Sequence, residues 1–147
     1  MKIINKKVFY DYEIVDRLEA GINLTGAEVK AIRGGHVDLS GSFVKFVAGE
    51  AYLVNAKIYS YSFARKEGYD EKRTRKLLLH RKELIALKSK IDGANLTIVP
   101  ISVYTNHRLI KIELGVAKGK KQYDKKAAIK KRDLDRDIEE EFAGRLR

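Results

Sequence analysis

Three histidines, His36, His80 and His107, and no cysteine are what this 147-residue chain offers for an imidazole or thiolate site. The histidines are too scattered in sequence to suggest a metal site. Without Cys, thiolate zinc sites, disulfides and thiol nucleophiles are excluded. Gly34-Gly35 lies in no Walker or dinucleotide pattern, and Gly115-Val116-Ala117-Lys118-Gly119-Lys120-Lys121 lacks the Ser or Thr after Lys and the spacing of a P-loop. No nucleophile with a base and no paired carboxylates stand out, so binding without catalysis is the expected class, with no cofactor. One stretch fits that class directly. Gly119-Lys120-Lys121-Gln122-Tyr123-Asp124-Lys125-Lys126 combines flexible backbone, point charges and one aromatic face, a mixture suited to RNA backbones and unstacked bases.

The charge supports a polyanionic partner. Lys and Arg number 31 against 20 acids, a formal +11. Residues 1–64 carry 8 basic and 7 acidic side chains, and 91–117 carry 2 of each. The surplus sits in 65–90, with 10 basic and 4 acidic, and in 118–147, with 11 and 7. The last segment is polarised: 118–132 is +7, and 133–141 is −5. A solvated charged face is one reading of these runs, and phosphate contact is the reading favoured for 65–90. Nucleic acid is the leading partner and an anionic membrane the second. No apolar stretch approaches the roughly 18–20 residues that span a bilayer, and the start MKIINKKVFYDYEI lacks a signal peptide's apolar run, which predicts a cytosolic protein.

The elements that must position these groups read as a barrel. Val8 to Leu24 alternates apolar and polar residues, with Asp16 on the apolar register beside Val15, which predicts a bulge that bends one long strand or joins two. Thr25-Gly26-Ala27-Glu28 has the form of a capping box opening a helix over about 25–33. Ser42–Val47 and Ala51–Ile58 read as strands joined through Ala48-Gly49-Glu50, and Leu96–Tyr104 and Arg108–Ala117 as another pair. Ile110, Ile112, Leu114 and Val116 share one face opposite Lys111 and Glu113. Pro100, the only proline, predicts an edge or a bulge. The run from Arg73 to Leu87, ending near Gly93, reads as a helix with Leu77, Leu84, Leu87 and Ile91 in one stripe. Leu78 is open to two readings, core or partner surface. Five or six strands with inserted helices predict a mainly β fold, a small antiparallel barrel of the oligonucleotide-binding (OB) type. Residues 1–117 would form it, and 118–147 a basic tail.

Thr74-Arg75-Lys76-Leu77-Leu78-Leu79-His80-Arg81 and Glu113-Leu114-Gly115-Val116-Ala117-Lys118-Gly119-Lys120-Lys121 resemble two hallmark segments of the SsrA-binding proteins, also called small protein B. The resemblance runs in order through Asn5-Lys6-Lys7, Tyr12 to Ile14, Glu19-Ala20-Gly21, Leu24 to Lys30 and Val99-Pro100. It implies a bacterial, cytoplasmic, non-enzymatic rescue factor, expected to be a monomer. Such a factor binds the tRNA-like domain of transfer-messenger RNA and enters the A site of a stalled ribosome for trans-translation. There it stands for an anticodon arm at the small-subunit decoding centre, with its tail in the vacant messenger channel.

Carried over by position, the resemblance implies that Asn5, Glu19 and Leu78 hold the RNA. Asn5 would bond sugar or base edges, Glu19 would accept from base amino groups or ribose hydroxyls, and Leu78 would give an apolar floor. Their alternatives are a turn residue, a surface acid paired with Lys, and a core leucine. Arg73, Arg75, Lys76 and Arg81 are the candidate phosphate contacts of the body. Gly119, Lys120, Lys121, Tyr123, Asp124, Lys125, Lys126, Lys130 and Lys131 are the expected ribosome contacts of the tail, flexible alone or helical on the ribosome. Two positions depart from the family pattern. Tyr10 stands where many members have His, keeping a ring but losing the imidazole, and Lys126 replaces an Arg, keeping charge but losing the bidentate guanidinium. The rival readings are a general RNA-binding barrel and an enzyme acting on RNA.

Overall fold

The structure, a computed structural model, describes residues 2–60 and 68–119. Its elements run β1 (Lys2–Ile4), α1 (Val8–Asp11), β2 (Tyr12–Ile22), α2 (Gly26–Arg33), β3 (Val37–Asp38), β4 (Phe43–Val47), β5 (Glu50–Val54), β6 (Lys57–Ile58), β7 (Arg75–Leu78), α3 (Arg81–Asp92), β8 (Leu96–Asn106) and β9 (Leu109–Gly119). Seven strands form one antiparallel sheet in the order β1-β8-β9-β2-β7-β5-β4. β4 also lies against β8, so the row curls round on itself into a small barrel. β3 and β6 pair separately.

Alternation fills the interior. Ala20 and Ile22 of β2, Leu77 of β7, Ile98 and Val103 of β8, and Ile110, Ile112, Leu114 and Val116 of β9 point into one core with Leu84 and Leu87 of α3. β2 and β8, the two neighbours of β9, are both bulged, β2 between Ile14 and Asp16, facing Val116 and Ala117, and β8 between Pro100 and Ser102, facing Glu113 and Leu114. Each extra residue sharpens the bend the barrel needs. Between the bulges sits Gly115, and a Cβ there would stand 2.9 Å from Ile101 Cδ1 and 3.0 Å from Ile14 Cδ1. Val8 of α1, with Tyr12, Ile14, Phe43, Val99 and Ala117, makes a second, small apolar cluster.

Four expectations are corrected. Val8–Asp11 is a short helix rather than the start of a strand, because Val8, Tyr10 and Asp11 donate back to Asn5 and Lys7 carbonyls and Val8 is buried against β8 and β9. Ala51–Ile58 is broken at Asn55, which has a positive φ of 66°, so its second half leaves the large sheet for β3. The helix expected from Arg73 begins only at Arg81, after a strand. Three consecutive leucines cannot share a helix face, and strand alternation sends Leu77 inward and Leu78 outward. β9 runs to Gly119, two residues past the expected boundary. The capping box is as expected: Glu28 N–H donates to Thr25 Oγ1 and Thr25 N–H to Glu28 Oε1.

Glu28 also anchors a buried network. Its Oε2 accepts from Arg75 Nε at 2.6 Å and its Oε1 from Arg73 Nη2 at 2.5 Å. Arg75, 0% exposed, donates further to the carbonyls of Ala56 and Glu71. Tyr69 Oη donates to Ile58 O at 2.7 Å, and Ile58 N–H to Glu71 O at 2.9 Å. These bonds pin Ile58 to the 69–71 segment.

Candidate nucleic-acid interface

In an antiparallel pair, directly opposed residues share a face. On the outside of the sheet this register builds two adjacent rows. Ile4, Ser102, Glu113 and Glu19 form one row across β1, β8, β9 and β2. Lys2, Tyr104, Lys111, Gly21 and Leu78 form the next, extending onto β7. Leu78 is 54% exposed and leans over Gly21, where a Cβ would come within 3.1 Å of Leu78 Cβ. Glycine there is what lets an apolar side chain lie across β2 beside Glu19.

The electrostatics of the face turn on two carboxylates. Glu19 stands directly opposite Glu113, an arrangement that like charges disfavour. Each has its own donors. Tyr104 Oη donates to Glu19 Oε2. Arg17 Nη1 donates to Glu113 Oε1 at 3.2 Å, and Ser102 Oγ to Glu113 Oε2 at 3.5 Å. The Arg17 guanidinium also lies 5.7 Å from the centre of the Phe9 ring. Partial burial, the bond to Glu19 and the charges of Glu19 and Glu113 push the Tyr104 phenol up to about 12, so it stays a donor at neutral pH. The face thus offers acceptors and an apolar side chain to a ligand, a composition suited to base edges and ribose hydroxyls.

Of the residues expected to hold RNA, Glu19 and Leu78 are brought together, as diagonal neighbours on this face. Asn5 is elsewhere. It is 7% exposed after β1, and its Nδ2 donates to the carbonyls of Leu39 at 3.2 Å and Pro100 at 3.0 Å. Both amide protons are used inside the fold.

The expected phosphate contacts do not form one patch. Arg75 is corrected outright, since its guanidinium is buried and spent on Glu28 and backbone carbonyls. Arg73 is half-buried on the same carboxylate, Lys76 lies 3.7 Å from Glu50, and Lys90 is paired with Asp16 at 2.6 Å. Lys90 and the Arg17 amide hold the Asp16 carboxyl below its ordinary value. Acids outside the 65–90 block therefore consume much of its surplus. Arg81, Lys82 and Lys88 are exposed on α3 and have no ion-pair partner among the described residues.

Gly119 is the last residue of β9, opposite Tyr12. Lys120, Lys121, Tyr123, Asp124, Lys125, Lys126, Lys130 and Lys131 lie outside the described residues. Sequence reading missed Arg17, Tyr104, Lys111 and Glu113 as members of the face. Alternation in β9 exposes the last two, but the partners of Glu19 follow only from strand register. Among the described residues no group of three or more His, Asp or Glu is placed to hold a metal, and no helix is long and apolar enough to cross a membrane.

Residues 2–144 match the family described as SmpB protein. Over 143 residues the chain is 48% identical to the SsrA-binding protein of Sulfurihydrogenibium sp. (strain YO3AOP1), spanning 97% of this chain and 94% of that one. Over 137 residues it is 50% identical to the SsrA-binding protein of Wolinella succinogenes, spanning 91% and 90%. A solved structure described as "tmRNA-SmpB: a journey to the center of the bacterial ribosome" contains a chain that matches with a TM-score of 0.70 and 43% identity, over 87% of this chain and 94% of that chain.

Proposed function

The chain belongs to the SmpB protein family, and from that membership we propose that it binds the tRNA-like domain of transfer-messenger RNA and delivers it to the A site of stalled bacterial ribosomes. The observation that carries this reading is the match through residue 144, which takes in the barrel and nearly all of the basic C-terminal segment. The reading places the protein in the bacterial cytoplasm and gives it no catalytic step of its own. Its task is to hold one RNA and present it to another.

The outer face supports that task. Glu19 accepts from base amino groups or ribose hydroxyls, and Leu78 packs against an exposed nucleotide. Backbone phosphates fall to the free cations, among them Arg81 of α3, and residues 120–147 take the vacant messenger channel at the small-subunit decoding centre.

Sequencing the RNA that copurifies with the chain from its native cell tests the proposal. Transfer-messenger RNA is expected to dominate. Equal affinity for a tRNA-like elbow and for a random stem of the same length would leave a general RNA-binding barrel instead. Cleavage of labelled RNA incubated with the protein and magnesium would overturn the non-catalytic reading.

A further inference from the structure

The two carboxylates at the centre of the outer face stand directly opposite each other on adjacent strands, yet their holders lie on opposite sides of their row. Arg17 of β2 pairs with Gly115 of β9, on one side of the Glu19–Glu113 row, and donates to Glu113. Tyr104 pairs with Lys111, on the other side, and takes Glu19. Each of the like charges thereby has a donor of its own, from opposite sides of the row. Glu19 would otherwise sample many rotamers on an exposed strand, because three torsions separate its carboxylate from the backbone. With Oε2 held by the phenol, Oε1 carries no hydrogen bond among the described residues and is left as an acceptor of fixed direction.

We propose that Tyr104 is a positioning residue for RNA recognition, its hydroxyl orienting the Glu19 carboxylate toward the amino or ribose hydroxyl donors of the bound RNA. The proposal rests on the RNA-binding reading of this face. The tyrosine acts through Glu19 and supplies preorganisation, since the ordering of a flexible side chain is completed before the ligand arrives.

The test is a double-mutant cycle on the full-length chain with Tyr104→Phe, Glu19→Ala and the double variant. Each is titrated with transcribed tRNA-like domain of transfer-messenger RNA, and each has its thermal midpoint recorded. Tyr104→Phe keeps the ring and removes only the donor. It is expected to weaken binding by about two- to tenfold, the cost of leaving one flexible side chain unordered, without lowering the midpoint. In the Glu19→Ala background the same change should have no further effect. An equal loss in both backgrounds would overturn the proposal, because the hydroxyl would then act independently of Glu19. Weak binding by Glu19→Ala with full affinity in Tyr104→Phe would overturn the positioning role alone. Full affinity in Glu19→Ala would overturn the RNA role of Glu19, and the proposal with it.

Discussion

The Glu28 carboxylate stands where α2, the 69–73 segment and β7 meet, and it is asked to be two things at once. It closes the capping box of α2 and neutralises Arg75 and Arg73. Burial favours its neutral form, but the Arg73, Thr25 and Arg75 bonds outweigh that and hold the carboxyl below its ordinary 4.5. The stability this ionised group contributes is therefore complete above that ordinary value and lost as pH falls through the lower folded one. Between about pH 5 and about pH 3 the thermal midpoint of the native chain should fall more steeply than that of Glu28→Gln, so that the gap between them narrows with acid. The partner gives a sharper test. Arg75→Met removes the fully buried one of the two guanidinium partners of Glu28, leaving Arg73, and should cost about 3 kcal/mol in urea unfolding, with the RNA affinity of the folded fraction unchanged. A selective loss of RNA affinity with native stability would return Arg75 to the role its sequence context suggested.

At the scale of elements, β7 and α3 decide which leucines belong to the barrel. Leu77 is 1% exposed and Leu84 7%, whereas Leu78 is 54% exposed on the outer face. Leu84→Ala should lower unfolding stability by roughly 2–5 kcal/mol through a core cavity. Leu78→Ala should leave it within about 0.5 kcal/mol while weakening RNA binding, as chemical denaturation and RNA titration of the two variants would reveal. The same pair illustrates what could be read in advance. Leu84 and Leu87 were legible as core from their helical spacing. Leu77 reached the correct fate by the wrong element, because no Gly or Pro separates β7 from α3 and a strand's alternation merges into the helix that follows. The capping box and both bulges were visible because their signals are local. Glu28 and Arg75 lie 47 positions apart and Glu19 and Tyr104 85 apart, so these bonds exist only once α2 is packed on the barrel and the strands are in register. The outer face was thus half legible: Glu19 and Leu78 came through resemblance, but their holders came from the fold.

Over the whole molecule, β9 ends at Gly119, and residues 120–147, which follow it in sequence, carry much of the basic charge. A chain ending at Gly119 should unfold at the same temperature as the full-length protein and retain the tRNA-like domain, since the outer face is intact. It should fail to support tagging on stalled ribosomes in a reconstituted translation assay. Full tagging by the truncated chain would show the tail to be dispensable. A different property follows from the clasp between Ile58 and the 69–71 segment. It is fastened by Ile58 to Glu71, Tyr69 to Ile58 and Arg75 to Ala56. Once a loop's ends are fastened, lengthening it costs only closure entropy, about 0.6 kcal/mol for each doubling. The connection between residues 60 and 68 can therefore be lengthened, by an epitope or a dye-labelling tag, at that cost. The graft would leave β7 in register with β2 and β5, which hold it from either side.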